Sequence, residues 1–219
     1  HSFRFKLISM ILVFTILPVM FLYVIYANFI KEIISERYTE SAVQSVYSAG
    51  KNIDYILNDM VEFSNLILTN RNFIRDLNNT DQLDLVTFKS LIRSFFTSRE
   101  DVDGIYIYTG EDVYYIGAVK SNEEMSVSLE EKLKNTSGEV VWIETKPEKI
   151  KVFSGQFTKY YFSLGRRIID FNTLKELGYL KIDIDESILE NSYKDLLVED
   201  DSEVFVISED GEVISHTDK

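Results

Sequence analysis

From Leu7 to Ile30 the chain runs 24 residues without a charge, fenced by Lys6 and Lys31. As a helix this stretch rises ~36 Å, enough to cross a ~30 Å hydrocarbon core with some tilt. Pro18 falls mid-span, where a membrane helix tolerates it, and Tyr23 and Tyr26 stand toward the far end, where aromatic rings suit the interface. A signal peptide carries a shorter apolar region and a small-residue cleavage site, and Tyr26-Ala27-Asn28 supplies no such site. The pattern therefore predicts a retained membrane anchor rather than a cleaved leader or a buried core helix. Arg4 and Lys6 precede the span, so the positive-inside bias predicts a cytoplasmic N-terminus and an exterior remainder.

Beyond Lys31 the apolar positions fall into a helical rhythm. Val46, Ala49/Gly50, Ile53, Ile56/Leu57, Met60, Phe63 and Ile67 recur at a spacing near 3.5, with Lys51, Asn52, Asn58, Asp59, Glu62 and Asn65 between them. This predicts an amphipathic helix from about Lys31 to about Leu68. Its stripe is compatible with pairing to a second copy or with packing on the domain's own sheet. The rhythm weakens at Asn70-Arg71-Asn72; Phe73–Leu77 and Leu83–Phe96 predict two further helices.

At Val102 the period changes to two. Ile105–Tyr108 and Val113–Ile116 predict a hairpin with aromatic faces, joined through Thr109-Gly110-Glu111-Asp112. Ser128–Leu133 reads as a short helix. Val140–Thr145, Ile150–Phe153, Phe157–Ile169 and Leu177–Asp185 read as strands, with a turn at Pro147 and a loop over Asn172–Glu176. Gly178 inside a strand predicts a bulge or a close backbone approach. Asp185 stands at an N-cap position before a helix Glu186–Leu197. Val204–Ser208 and Val213–Ser215 around Asp210-Gly211 predict a two-residue hairpin. The fold class is α+β: an N-terminal membrane helix continuing into a long helix packed on a mixed antiparallel sheet.

Charge narrows the function classes. The 219 residues hold 23 basic and 36 acidic side chains; residues 1–30 carry two of the former and none of the latter, leaving residues 31–219 at net −15. That sign argues against nucleic acid and against adhesion to an anionic membrane surface. No cysteine is present, which removes disulfides and thiolate metal sites. His216 is the one histidine besides His1, so no triad or zinc site can be assembled. No nucleophile elbow, phosphate loop or metalloprotease motif occurs. The carboxylates at Asp183/Asp185 and Glu199-Asp200-Asp201 lack the glycine of a calcium loop. No catalytic residue, metal or cofactor is expected.

Strand alternation supplies the candidate binding chemistry. Tyr179, Lys181, Asp183 and Asp185 share one face of their strand, and Leu180, Ile182 and Ile184 the other. Tyr160, Phe162, Leu164 and Arg166 alternate against Tyr161, Ser163, Gly165 and Arg167. A face mixing Tyr, Arg and Asp suits a small polar ligand, which nominates Tyr106, Tyr108, Tyr115, Trp142, Tyr161, Arg166 and Asp183. The alternative for the aromatics is ordinary sheet packing, and for the charges, solvated cross-strand pairs.

The order of parts resembles the double cache ectodomains of bacterial transmembrane sensors. Arg166-Arg167-Ile168-Ile169-Asp170 followed by LGYLKIDIDESIL (Leu177–Leu189) and VFVISEDGEVISH is similar to the YesM-like sensor histidine kinases. The resemblance implies four parts: a cytoplasmic stub and transmembrane helix (1–30), a long signalling helix (31–77), a membrane-distal PAS-like module with its crossover helix (78–198), and the first hairpin of a membrane-proximal module (199–219). It implies further segments beyond Lys219, including a kinase core that addresses a cytoplasmic response regulator. The opening on His1 rather than Met likewise predicts a trimmed start. Expected partners are the membrane, a second copy through the long helix, and a small-molecule or protein cue. An Arg-x-Trp-Tyr arrangement typical of amino-acid-binding relatives is absent, because Val140 precedes Trp142 by two and Ile143 follows it. The alternatives are a chemotaxis receptor, a cyclic-dinucleotide cyclase, and a tethered hydrolase or structural surface protein.

Overall fold

Five strands pair into one antiparallel sheet in the order β2-β1-β5-β4-β3: β1 Val102–Thr109, β2 Asp112–Gly117, β3 Val141–Val152, β4 Gly155–Ile169 and β5 Glu176–Asp185. The computed structural model describes residues 2–79, 83–110, 112–117, 125, 127–152, 155–196, 203–208 and 211–217. The helices are α1 Ser2–Leu68, α2 Arg71–Asn78, α3 Leu85–Thr97, α4 Val127–Lys134 and α5 Ser187–Tyr193, the last followed by a 3₁₀ turn, Lys194–Leu196. A separate two-stranded sheet pairs β6 Phe205–Ile207 with β7 Val213–His216.

The chain divides into two units, residues 1–48 and 49–219. In the first, Phe14–Lys31 is long and apolar enough to cross a membrane, and none of that stretch is buried. Pro18 sits inside helical backbone.

In the second unit the rest of α1 turns Ala49, Ile53, Met60, Phe63, Ile67 and Leu68 into the core. The stripe predicted from spacing is therefore used on the domain's own apolar interior from Ala49 onward, while Val46 is exposed. Tyr55 and Leu66 are the large apolar side chains that α1 leaves exposed in this unit. The helix ends at Thr69-Asn70, where the Asn70 side chain accepts hydrogen bonds from the backbone N–H groups of Asn72 and Phe73, both at 3.1 Å, and so caps α2. Asp84 caps α3 in the same way through Val86 N–H at 3.0 Å. Phe73 and Leu77 of α2 and Phe88, Ile92 and Phe95 of α3 join α1 over one face of the sheet. There they meet Ile105, Ile107, Phe162, Leu164, Leu180, Ile182 and Ile184.

Three expectations are corrected. Pro147 is no turn: β3 runs through it, with Pro147 opposite Tyr160. A proline is tolerated there because β3 is an edge strand, and the register already shifts between Ile143 and Lys146. The helix after β5 is shorter than expected and tightens into the 3₁₀ turn by Lys194. Glu186 occupies its N-cap position without a side-chain cap, although Asp185 Oδ1 does accept from Ser187 N–H at 2.9 Å. The last hairpin closes through Ser208 N–H to Glu212 C=O at 2.8 Å, one residue wider than a two-residue turn, with Gly211 at φ +84°. Expectations placed on Phe153, Leu197, residues 199–201 and Asp210 lie outside the described residues.

Gly178 fulfils both readings of a strand glycine. The β4–β5 register slips between Ile168 and Ile169, beside it. Its φ is +140°, and a Cβ would stand 1.9 Å from the Tyr108 carbonyl oxygen.

Candidate functional site

The central strand β5 is buried along nearly its whole length, yet its two faces differ in chemistry. The even positions Leu180, Ile182 and Ile184 meet the helices. The odd positions Tyr179, Lys181 and Asp183 face the other way, where Tyr179 joins a second apolar group with Tyr106, Tyr108 and Leu133 of α4. Register fixes the neighbours: Lys181 lies opposite Tyr106 on β1, and Asp183 lies opposite Ser163 on β4. Directly opposed side chains on one face of an antiparallel pair are in contact range, so these contacts follow from the pairing.

Above this face is a cavity of about 560 Å³, walled by Tyr108, Tyr161, Ser163, Lys181 and Asp183 from the sheet and by Leu129 and Lys132 from α4. Asp183 Oδ1 accepts from the Ser163 hydroxyl at 2.6 Å and pairs with Lys181 Nζ at 2.9 Å. Lys181 Nζ also sits 4.8 Å from the centre of the Tyr106 ring. Tyr106 stacks in turn against Tyr108 at 6.3 Å and Tyr115 at 4.6 Å between centroids. At the rim, Lys132 Nζ of α4 meets Glu212 Oε1 of the last hairpin at 2.9 Å. Thr145 of β3 donates to the Ile214 carbonyl at 2.8 Å, tying the hairpin beside β3.

The same face continues into an ion cluster. Lys159 Nζ lies 2.6 Å from Asp103 Oδ2, 2.9 Å from Asp185 Oδ2, and 5.4 Å from the Tyr161 ring centre. Burial raises the Asp103 carboxyl above its ordinary range despite Lys159. Burial also raises Asp185, but its bonds from Lys159 and Ser187 outweigh that and leave it below the ordinary range. Three tyrosines on this face are harder to ionise: burial, then nearby carboxylates, push Tyr106 and Tyr161 up. Burial and the hydrogen bond to Glu176 push Tyr179 up to about 12.

Of the seven nominated residues, Tyr108, Trp142, Tyr161 and Asp183 line the cavity. Trp142 does so from its margin: it lies opposite Leu164, and its ring packs 5.9 Å from Phe162 on the helix side. Tyr106 and Tyr115 stand behind the wall, supporting Lys181 and Tyr108. Arg166 is on the opposite face. Its Nε donates to Gly138 C=O at 2.8 Å, and its Nη1 donates to Ser64 Oγ at 2.9 Å and Asn65 Oδ1 at 2.5 Å, both on α1. Burial lowers the guanidinium pKa, partly countered by Glu139. Lys181 and Ser163 were not nominated, although their alternation with Asp183 and Tyr161 was visible. Lys132 and Glu212 carried no signal, since they reach the rim from distant segments. Among the described residues no group of His, Cys, Asp and Glu is placed to hold a metal ion.

No protein-family model matches the chain, and no curated protein matches it by sequence. Solved structures do resemble it. One is the extracellular domain of the putative histidine kinase vpHK1S-Z8, with TM-score 0.57 and 11% identity over 71% of this chain and 62% of that one. Another is the ligand-binding domain of the Campylobacter jejuni chemoreceptor Tlp3 in complex with L-norvaline, with TM-score 0.51 and 12% identity over 84% of this chain and 70% of that one. The chain thus spans about 62% of the length of the first of these. At such identities the likeness establishes the fold: a long helix and an antiparallel sheet arranged as in sensor ligand-binding domains.

Proposed function

We propose that this chain is the extracellular sensor region of a bacterial membrane receptor, that the cavity beside Asp183 receives a small-molecule cue, and that the output is a sensor histidine kinase of the YesM-like group. The observation that carries the reading is the cavity itself: it opens on the polar face of a sheet whose fold is that of sensor ligand-binding domains. Support for an anchored receptor comes from the membrane-length apolar stretch within α1. Support for a kinase output comes from the Leu177–Leu189 sequence. In this reading residues 1–30 are the stub and anchor with a cytoplasmic N-terminus, 31–77 the signalling helix, 78–198 the membrane-distal module, and 199–219 the start of a second one. The partners are then a second copy and a cytoplasmic response regulator, and these residues carry no catalysis.

A cue drives output only by binding one arrangement of the module better than another. The direct test is a thermal-shift screen of the chain in detergent micelles against small metabolites, since binding raises stability by mass action. A true cue raises the melting temperature of the wild type and loses its effect in Tyr161→Ala. If no compound acts through the cavity, the sensor reading fails. Transmission is tested separately with Lys51→Gly/Asp54→Gly, both exposed on α1, which weakens the helix by about 1 kcal/mol per site. Cue binding should persist while output is lost; full output would argue against α1 as the carrier.

A further inference from the structure

The floor of the cavity has the makeup of a cation site that the protein fills itself. A carboxylate (Asp183), held by the Ser163 hydroxyl, and the face of an aromatic ring (Tyr106) converge on one point, and the group at that point is the ammonium of Lys181. An ammonium is held by such a set through its charge and through the ring's quadrupole. Here both Lys181 and Asp183 are buried, so the pair is held away from bulk water, where screening is weak. A cationic ligand entering the cavity would have to displace a tethered competitor and break a buried Lys181–Asp183 ion pair, which is strongly unfavourable. A ligand without a cationic head meets no such obstacle.

We propose that Lys181 is the specificity-determining residue of this cavity: it acts as a built-in counter-ion to Asp183, so that the site rejects amines and accepts neutral or anionic small molecules. The proposal rests on the cavity being the cue site, but its chemistry can be tested without any signalling readout.

Lys181→Ala removes Cγ, Cδ, Cε and Nζ, and n-propylammonium restores the same four atoms. The test compares melting temperatures of the full chain in detergent micelles with n-propylammonium, 1-propanol or propionate. In Lys181→Ala, n-propylammonium at about ten times its dissociation constant should raise the melting temperature by about 3–5 °C. The alcohol and the acid should give no such lysine-dependent rise, and wild type should not respond to the amine. The double variant Lys181→Ala/Asp183→Asn should lose the response. If Lys181→Ala does not fold, Lys181→Met keeps the stem and vacates the ammonium position, and the ammonium ion becomes the probe. Equal amine responses in wild type and variant would overturn the proposal. So would an absent response in a folded variant, or one that survives Asp183→Asn. An amine response confined to the lysine variants would support the proposal even if the metabolite screen fails, so the two readings fail separately.

Discussion

The two faces of the five-stranded sheet are both buried, yet they are built for different ends. On the helix side, Phe162, Leu164, Leu180, Ile182 and Ile184 are at most 1% exposed and meet apolar side chains from α1, α2 and α3. On the cavity side, Tyr161, Ser163, Lys181 and Asp183 are 5–9% exposed, and they line open space rather than fill it. Degree of burial barely separates the faces; what burial is made against does. An apolar face closed by helices holds the module together. A face whose polar groups satisfy one another around a void leaves that void open, in the concave, part-polar form that small-molecule sites take.

Neighbours on one strand put this difference to its hardest test. Phe162→Ala would leave a void inside closed packing and should cost about 3–5 kcal/mol. Tyr161→Ala, one residue away, enlarges a cavity that already exists and should cost about 1–2 kcal/mol. For a chain of this size the first corresponds to a loss of about 6–20 °C in melting temperature. Equal losses for the two variants would mean that the cavity face is simply a second core.

Arg166 is the exception that sharpens the comparison, because it places a cation on the apolar face. It crosses from β4 to Ser64 and Asn65 of α1 and also holds the Gly138 carbonyl, which follows the α4 wall of the cavity. This gives α1 and the segment that follows α4 a shared partner. Arg166→Met keeps the stem but removes the donors, and should cost about 1–3 kcal/mol. Arg166→Lys should recover little, since one ammonium cannot reproduce a planar fork that serves acceptors on both sides. Binding at the cavity should survive in both variants, measured by thermal shift with any compound the screen identifies. Lost binding would move Arg166 back into the site.

Alternation separates Leu180, Ile182 and Ile184 from Tyr179, Lys181 and Asp183, and the folded sheet keeps that division. It could not show on which side Arg166 would fall. Period two identifies residues that share a face of one strand, whereas the matching of faces between strands is set by pairing register. Once Leu164 is seen opposite Ile182, Arg166 must join the apolar side. Trp142 was ambiguous for the same reason. Pro147 misled because a proline argues against a central strand but not against an edge, and edge status is a property of the sheet order. The α4 wall and the Glu212 rim depend on contacts between segments far apart in the chain, which no local pattern encodes. Gly178, by contrast, was legible because a glycine inside a strand pattern is itself the signal, both for a backbone conformation that other residues resist and for a close approach.

The smallest effect separates the faces by titration. Tyr106, Tyr161 and Tyr179, all on the cavity side, have their hydroxyls shifted upward, Tyr179 to about 12. In the unfolded chain a tyrosine loses its proton near pH 10. Below that pH both states hold the proton, and these groups give no pH dependence. Above it the unfolded state has released protons that the folded state retains, so stability falls as pH rises. For Tyr179 the decline should run from about 10 to about 12. Phe162, Leu164, Leu180, Ile182 and Ile184, which face the helices, do not titrate. Tyr179→Phe keeps the ring and removes the proton, so its stability between pH 10 and 12 should fall less steeply than that of wild type, with a small offset at neutral pH from the lost Glu176 bond. Chemical denaturation across that interval, with tyrosine ionisation followed by ultraviolet absorbance, measures both slopes. Identical slopes would mean that the Tyr179 hydroxyl ionises as it does in water and that the cavity face is wetter than its packing implies.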